Sequence, residues 1–135
     1  LAYVGDTRIY WIRGGEIIYQ SKDHSIPQMM VTCGEITYDQ IRGHESRNLL
    51  TRALGYKDDV TAEHFAGRIR RGDRLLLCTD GLTNMVADDD IAQVLREVPF
   101  FDATSILVDR ALQAGGQDNI TVLLMGVEAT EVNNG

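Results

Sequence analysis

Apolar residues recur along this chain in two rhythms, and the change from one to the other lays out the elements. Arg8-Ile9-Tyr10-Trp11-Ile12 and Glu16-Ile17-Ile18-Tyr19 are runs rich in β-formers, separated by Arg13-Gly14-Gly15. That spacing predicts an antiparallel hairpin. Leu1 to Val4 has the character of a strand interior, and Val60 to Phe65 is a further strand candidate. Thr37 opens a predicted helix through about Gly43, with Gln40 three residues on as in a capping box. After the Gly72-Asp73 turn, Arg74-Leu75-Leu76-Leu77-Cys78 is the pattern of a buried strand.

The second rhythm is helical. Ile91, Val94, Leu95 and Val98 recur behind Asp88-Asp89-Asp90, whose charge suits a helix N-terminus, and Pro99 stops the run. Asp102 starts another helix with Thr104, Leu107, Val108, Ala111 and Leu112 on its stripe, closing at Gly115-Gly116. Ile120 to Met125 is the closing strand. Strands, then helices, then a last strand predict an α+β fold with antiparallel pairing and helices on one face.

Composition narrows the classes. With 135 residues and 44% apolar content, the chain can bury one core. A net charge of −7 and a pI near 4.8 argue against a surface that tracks nucleic-acid phosphates. No apolar run approaches the roughly 20 residues that span a bilayer, and no charged-then-apolar leader opens the chain, so a cytoplasmic protein without membrane insertion is expected. Cys33 and Cys78 form no C-x-x-C pair; two reduced thiols are the expectation, a single bridge the alternative. The first residue is Leu1, already inside a strand pattern, which predicts a longer parent chain.

Three aspartates stand at the tips of apolar runs: Val4-Gly5-Asp6, Thr79-Asp80-Gly81 and Gln117-Asp118-Asn119. Asp80 follows a strand and Asp118 precedes one. Should those strands be antiparallel neighbours, both carboxylates meet at one sheet edge. Gly5 permits a bend that brings Asp6 toward it. Any one of them alone is an ordinary turn residue. Together they predict hard oxygen ligands for a divalent cation.

The residues also carry a family resemblance. Ala2-Tyr3-Val4-Gly5-Asp6-Thr7-Arg8, Asp23-His24-Ser25, His44-Glu45-Ser46-Arg47-Asn48-Leu49-Leu50-Thr51-Arg52-Ala53-Leu54-Gly55, Gly72 to Leu82 and Gly115 to Val122 stand in the order found in bacterial type 2C protein phosphatases. The chain resembles the C-terminal portion of that catalytic domain over residues 1–129, followed by a polar tail, 130–135. The resemblance implies part of a four-layer α-β-β-α sandwich and a metal-dependent serine/threonine phosphatase acting on phosphoproteins, with two Mn²⁺ or Mg²⁺ ions and a possible third. It implies that Asp80 and Asp118 are ligands of a catalytic ion and that Asp6 helps Asp80 hold the third. Thr7 stands where the family has serine. Gly34, Glu35, Ile36, Thr37 and His44 fall in its substrate-access flap.

The family's other metal ligands, phosphate-gripping arginine and general-acid histidine have no counterpart in these residues, so no catalytic acid or nucleophile is assigned and the chain alone is expected to be inactive. Arg8, Arg47 and Arg52 are expected to be structural or surface residues. His24, His44 and His64 are expected in turns or packing, since no two are spaced i, i+4 for a metal. A covalent aspartyl mechanism is disfavoured because Asp80 lacks a second carboxylate two residues on. An EF-hand begun at Asp88 fails at Gln93 and Pro99, and Asn119-Ile120-Thr121 opens a core strand instead of a glycosylated loop. Two classes stay open: a phosphoprotein phosphatase, and a phosphatase-like domain that serves as an inactive interaction or regulatory module.

Overall fold

A computed structural model of the chain describes residues 1–128, so the polar tail 130–135 lies outside the described residues. Internal contacts divide the chain into two compact units. One comprises Leu1–Arg8 and Ser21–Ala66, the other Ile9–Gln20 and the residues from Gly67 on.

In the first unit, β1 (Ala2–Tyr3) pairs antiparallel with a later strand at Glu63–His64, in the register Ala2↔His64 and Tyr3↔Glu63. The strand expected over Val60 to Phe65 thus shrinks to two residues, as it has only the two-residue β1 to pair with. A helix that the periodicity did not reveal, α1 (Ile26–Thr32), follows Ser25, whose side chain accepts from the Gln28 N–H at 3.4 Å. Its signals were the serine cap and a proline in the first turn. Gly34, at φ +77°, ends it in a Schellman motif: Glu35 N donates to Met30 O (2.9 Å) and Gly34 N to Val31 O (3.0 Å). The helix expected from Thr37 to about Gly43 is only a 3₁₀ turn, Tyr38–Gln40. Gln40 does reach back to accept from Thr37 N at 2.7 Å, but the segment has no buried residue to anchor a longer helix.

The second unit holds the main sheet. The hairpin forms as expected, β2 (Arg8–Arg13) antiparallel to β3 (Glu16–Gln20). Numbering the short Glu63–His64 strand β4, the remaining strands are β5 (Arg74–Cys78) and β6 (Val122–Gly126), and the sheet order is β3-β2-β5-β6. Between β5 and β6 lie α2 (Asp80–Thr83), α3 (Asp88–Glu97) and α4 (Phe100–Gln113). α4 begins two residues before Asp102, with Pro99 as its N-cap, a position that tolerates a missing N–H. Its buried stripe is Ala103, Leu107 and Ala111; Leu107 and Ala111 stand as expected, Thr104 and Val108 are half-buried, Leu112 is exposed, and Ala103 joins the core.

One sheet face, Tyr10 and Ile12 with Leu76 and Cys78, packs with Leu82, Ile91, Val94, Leu95 and the α4 stripe into a single core. Strand alternation sends Leu75, Leu77, Leu123 and Met125 to the other face, where Leu123 and Met125 are exposed. At the start of β5, Asp73 is buried and accepts from Trp11 Nε1 (2.9 Å), Arg13 Nε (2.8 Å), Arg13 Nη2 (2.7 Å) and the Arg70 N–H (2.7 Å). The Arg13 guanidinium, with help from Arg70 N–H and Trp11, holds its carboxyl far below the usual carboxylate range. The sequence shows only a turn there; the ion pair across 60 residues fixes the sheet's base.

Candidate functional site

The opposite end of β5 carries the aspartates. β5 and β6 are antiparallel neighbours with Cys78 opposite Val122, so the exit of one adjoins the entrance of the other. Beyond the ladder, Thr79 continues the connection: its N–H donates to Thr121 O (3.1 Å), its hydroxyl donates to Asn119 O (3.2 Å) and accepts from Thr121 N–H (3.0 Å). Asp80 opens α2 directly after Thr79, and Asp118 precedes Asn119. A Cβ at residue 81 would sit 2.2 Å from Asn119 O, so only glycine lets the α2 backbone meet the Asp118-Asn119 segment. Gly81 is thus the contact that brings the two acidic segments together, a role that a turn reading misses.

Asp80 is half-buried and its Oδ2 accepts from Asn84 Nδ2 at 3.3 Å. Asp118 is exposed and its Oδ1 accepts from the Asn119 N–H at 2.7 Å. Carboxylate and backbone oxygens at a sheet end suit a hard, oxygen-seeking cation. Among the described residues no group of three or more His, Cys, Asp or Glu gathers, so this set fits part of a coordination shell.

Asp6 belongs to the first unit, next to Gly5 at φ +93°. That turn is gripped by His24. The His24 N–H donates to Gly5 O (2.8 Å), while its Nδ1 accepts from the Gly5 N–H (3.0 Å). The ring stacks on Tyr3 at 5.2 Å and its Nε2 meets Glu63 Oε2 at 3.1 Å. His24 is a buried packing residue, as expected, but its packing is aimed at the backbone beside Asp6.

The other candidates are dispersed. Arg8 pairs with Asp23 through Nε and Nη2, and Arg47 Nη1 donates to Arg42 O at 3.2 Å, both structural roles. Arg52 lines a pocket of ≈ 340 Å³ with Thr51, Tyr56 and Lys57. Gly34, Glu35, Ile36 and Thr37 run on from α1 at the surface, and His44 Nδ1 accepts from Ser46 N at 3.1 Å. His64 lies exposed in β4. Cys33 and Cys78 are free thiols, one exposed and one buried. No helix among the described residues is long and apolar enough to cross a membrane.

Comparison with known proteins adds a lineage to this geometry. No family model matches the chain. The protein phosphatase PhpP of Streptococcus pneumoniae is 37% identical over 127 residues, 93% of this chain and 52% of PhpP. The serine/threonine phosphatase structure from S. agalactiae superposes with a TM-score of 0.85 at 38% identity, covering 94% of this chain and 53% of that one. The catalytic domain of the phosphatase PstP, solved with two manganese ions, superposes with a TM-score of 0.80 at 35% identity, covering 95% and 53% respectively. The chain spans about half the length of the relatives it matches. By sequence and by fold, it belongs with the bacterial PPM-type serine/threonine protein phosphatases, the type 2C family.

Proposed function

We propose that this chain is the C-terminal portion, residues 1–129, of a metal-dependent phosphatase that hydrolyses phosphoserine and phosphothreonine in proteins. The observation that carries the reading is the pairing of the Asp80 and Asp118 segments at one end of the β5–β6 ladder, closed by Gly81. Asp80 and Asp118 would hold a catalytic Mn²⁺ or Mg²⁺, and Asp6 would serve an auxiliary ion. When bound, paired ions of this kind supply a water nucleophile usable near neutral pH and stabilise the attacking and leaving oxygens of an in-line displacement.

The chain's own residues orient that chemistry. Asn84 steadies Asp80 through its Oδ2, and the Asn119 N–H steadies Asp118 through its Oδ1. Asp80 in the first turn of α2 also has the favourable charge for a helix start. The apolar face bearing Leu123 and Met125 suits a second sheet packed on the first, which is the four-layer sandwich. The segment from Gly34 to His44 forms the flap over the substrate entrance. A cytoplasmic setting suits an exposed free thiol at Cys33.

The test is hydrolysis of a phosphothreonine peptide by the intact protein with and without Mn²⁺. Metal-dependent phosphate release, abolished by chelation and by Asp118→Asn, is expected. An intact protein that binds Mn²⁺ yet releases no phosphate would instead be the inactive interaction module.

A further inference from the structure

Beyond the ligands themselves, the first unit contains a device for holding one of them. The backbone of Gly5 is engaged at both of its peptide groups by one residue: its N–H by His24 Nδ1 and its C=O by the His24 N–H. Since Nδ1 accepts, it carries no proton, and the ring's proton sits on Nε2, facing Glu63 Oε2. Tyr3 stacks on the ring at an interplanar angle of 11°, and Tyr3 and Glu63 are themselves paired in the β1–β4 ladder. Ring position, tautomer and the left-handed Gly5 turn are thereby set together. The residue that follows the turn is Asp6.

We propose that His24 is a positioning residue for Asp6: its imidazole fixes the N–H side of the Gly5 turn, and through that turn the direction in which the Asp6 carboxylate meets a divalent cation. Glu63 fixes the imidazole in turn. The proposal rests on the reading of Asp6 as an ion ligand, and removing a group that orients a ligand typically costs about 10–100-fold in metal affinity.

The chemistry separates two substitutions of similar size. In His24→Asn the amide oxygen occupies the place of Nδ1 and still accepts from Gly5 N–H. In His24→Gln the amide reaches the place of Nε2, keeps Glu63 and leaves Gly5 N–H without its acceptor. Both lose the Tyr3 stack, so both lower Tm. Mn²⁺ binding to the intact protein, read by loss of the free-ion electron paramagnetic resonance signal alongside peptide hydrolysis, distinguishes them. His24→Gln is expected to raise the Mn²⁺ concentration that half-fills the weakest site about tenfold, and His24→Asn about twofold or less. Glu63→Ala, at an exposed position, gives a smaller rise in the same direction and serves if His24→Gln does not fold. Equal Mn²⁺ dependence in the two His24 variants, or wild-type dependence in Glu63→Ala, overturns the proposal. Asp6→Asn is run beside them. Unchanged binding there overturns the ligand reading and the proposal with it; weakened binding in Asp6→Asn with wild-type binding in His24→Gln overturns the positioning role alone.

Discussion

The two ends of β5 carry aspartates in opposite circumstances. Asp73, before the strand, is buried and saturated by N–H groups of Trp11, Arg13 and Arg70. Asp80, after it, is half-buried beside an exposed Asp118, and the donors Asn84 and Asn119 that reach these two carboxylates are neutral. A carboxylate neutralised by its own protein contributes stability and has no capacity left for a ligand. One held by neutral donors keeps its charge available, which a cation site requires. The same residue type on the same strand thus divides between structure and function by the partners it is given.

The largest effect is expected at the structural end. Asp73→Ala removes the acceptor of the buried Trp11 Nε1–H, of the Arg70 N–H and of the partly exposed Arg13 guanidinium, a loss of about 3 kcal/mol in urea unfolding. Asp73 also sets an acid limit. Its carboxyl titrates far lower in the folded chain than the roughly 3.9 of an unfolded one. Its contribution is complete above the unfolded value and is lost as pH falls through the acid range. Urea midpoints measured from pH 6 down to pH 2 should fall steeply for the wild type and less so for Asp73→Asn.

At the functional end the fold should persist while activity goes. Asp80→Asn or Asp118→Asn keeps the shape and removes a negative ligand, and turnover of a phosphothreonine peptide by the intact protein should fall at least ~100-fold, the equivalent of about 2.7 kcal/mol. Circular dichroism of both variants should match the wild type. Near-normal turnover at low metal would erase the distinction between the two ends.

Gly81→Ala sharpens the comparison, because its Cβ meets the Asn119 carbonyl and not a yielding side chain. A stability loss of about 1–3 kcal/mol is expected, with weaker Mn²⁺ binding as the two acidic segments separate. The smallest effect is predicted for Asp6→Asn, which should weaken activity at low Mn²⁺ and recover at saturating Mn²⁺.

How much of this was legible in the sequence depends on the range of each cause. The β2–β3 hairpin, the β5 run, α3 and the glycine stop of α4 rest on local patterns, and each was readable. The helix from Thr37 is shorter than its cap suggests because a cap signal says where a helix starts and nothing about what buries it. α1 and α2 are too short to show a period. The meeting of Asp80 and Asp118 is conditional, in the sequence, on antiparallel pairing of the strands beside them, and β5 and β6 do pair in that way. Arg13 lies 60 residues from Asp73, and Gly5 lies 19 residues from His24. No local pattern could announce them.

The most direct test of the account is an anomalous diffraction map of the intact protein crystallised with Mn²⁺. The account predicts a peak bonded to carboxylate oxygens of both Asp80 and Asp118, at about the 2.0–2.1 Å expected of a small octahedral cation. Carboxylates held more than about 10 Å apart, a separation no single ion bridges at such bond lengths, with manganese bound elsewhere, would contradict it.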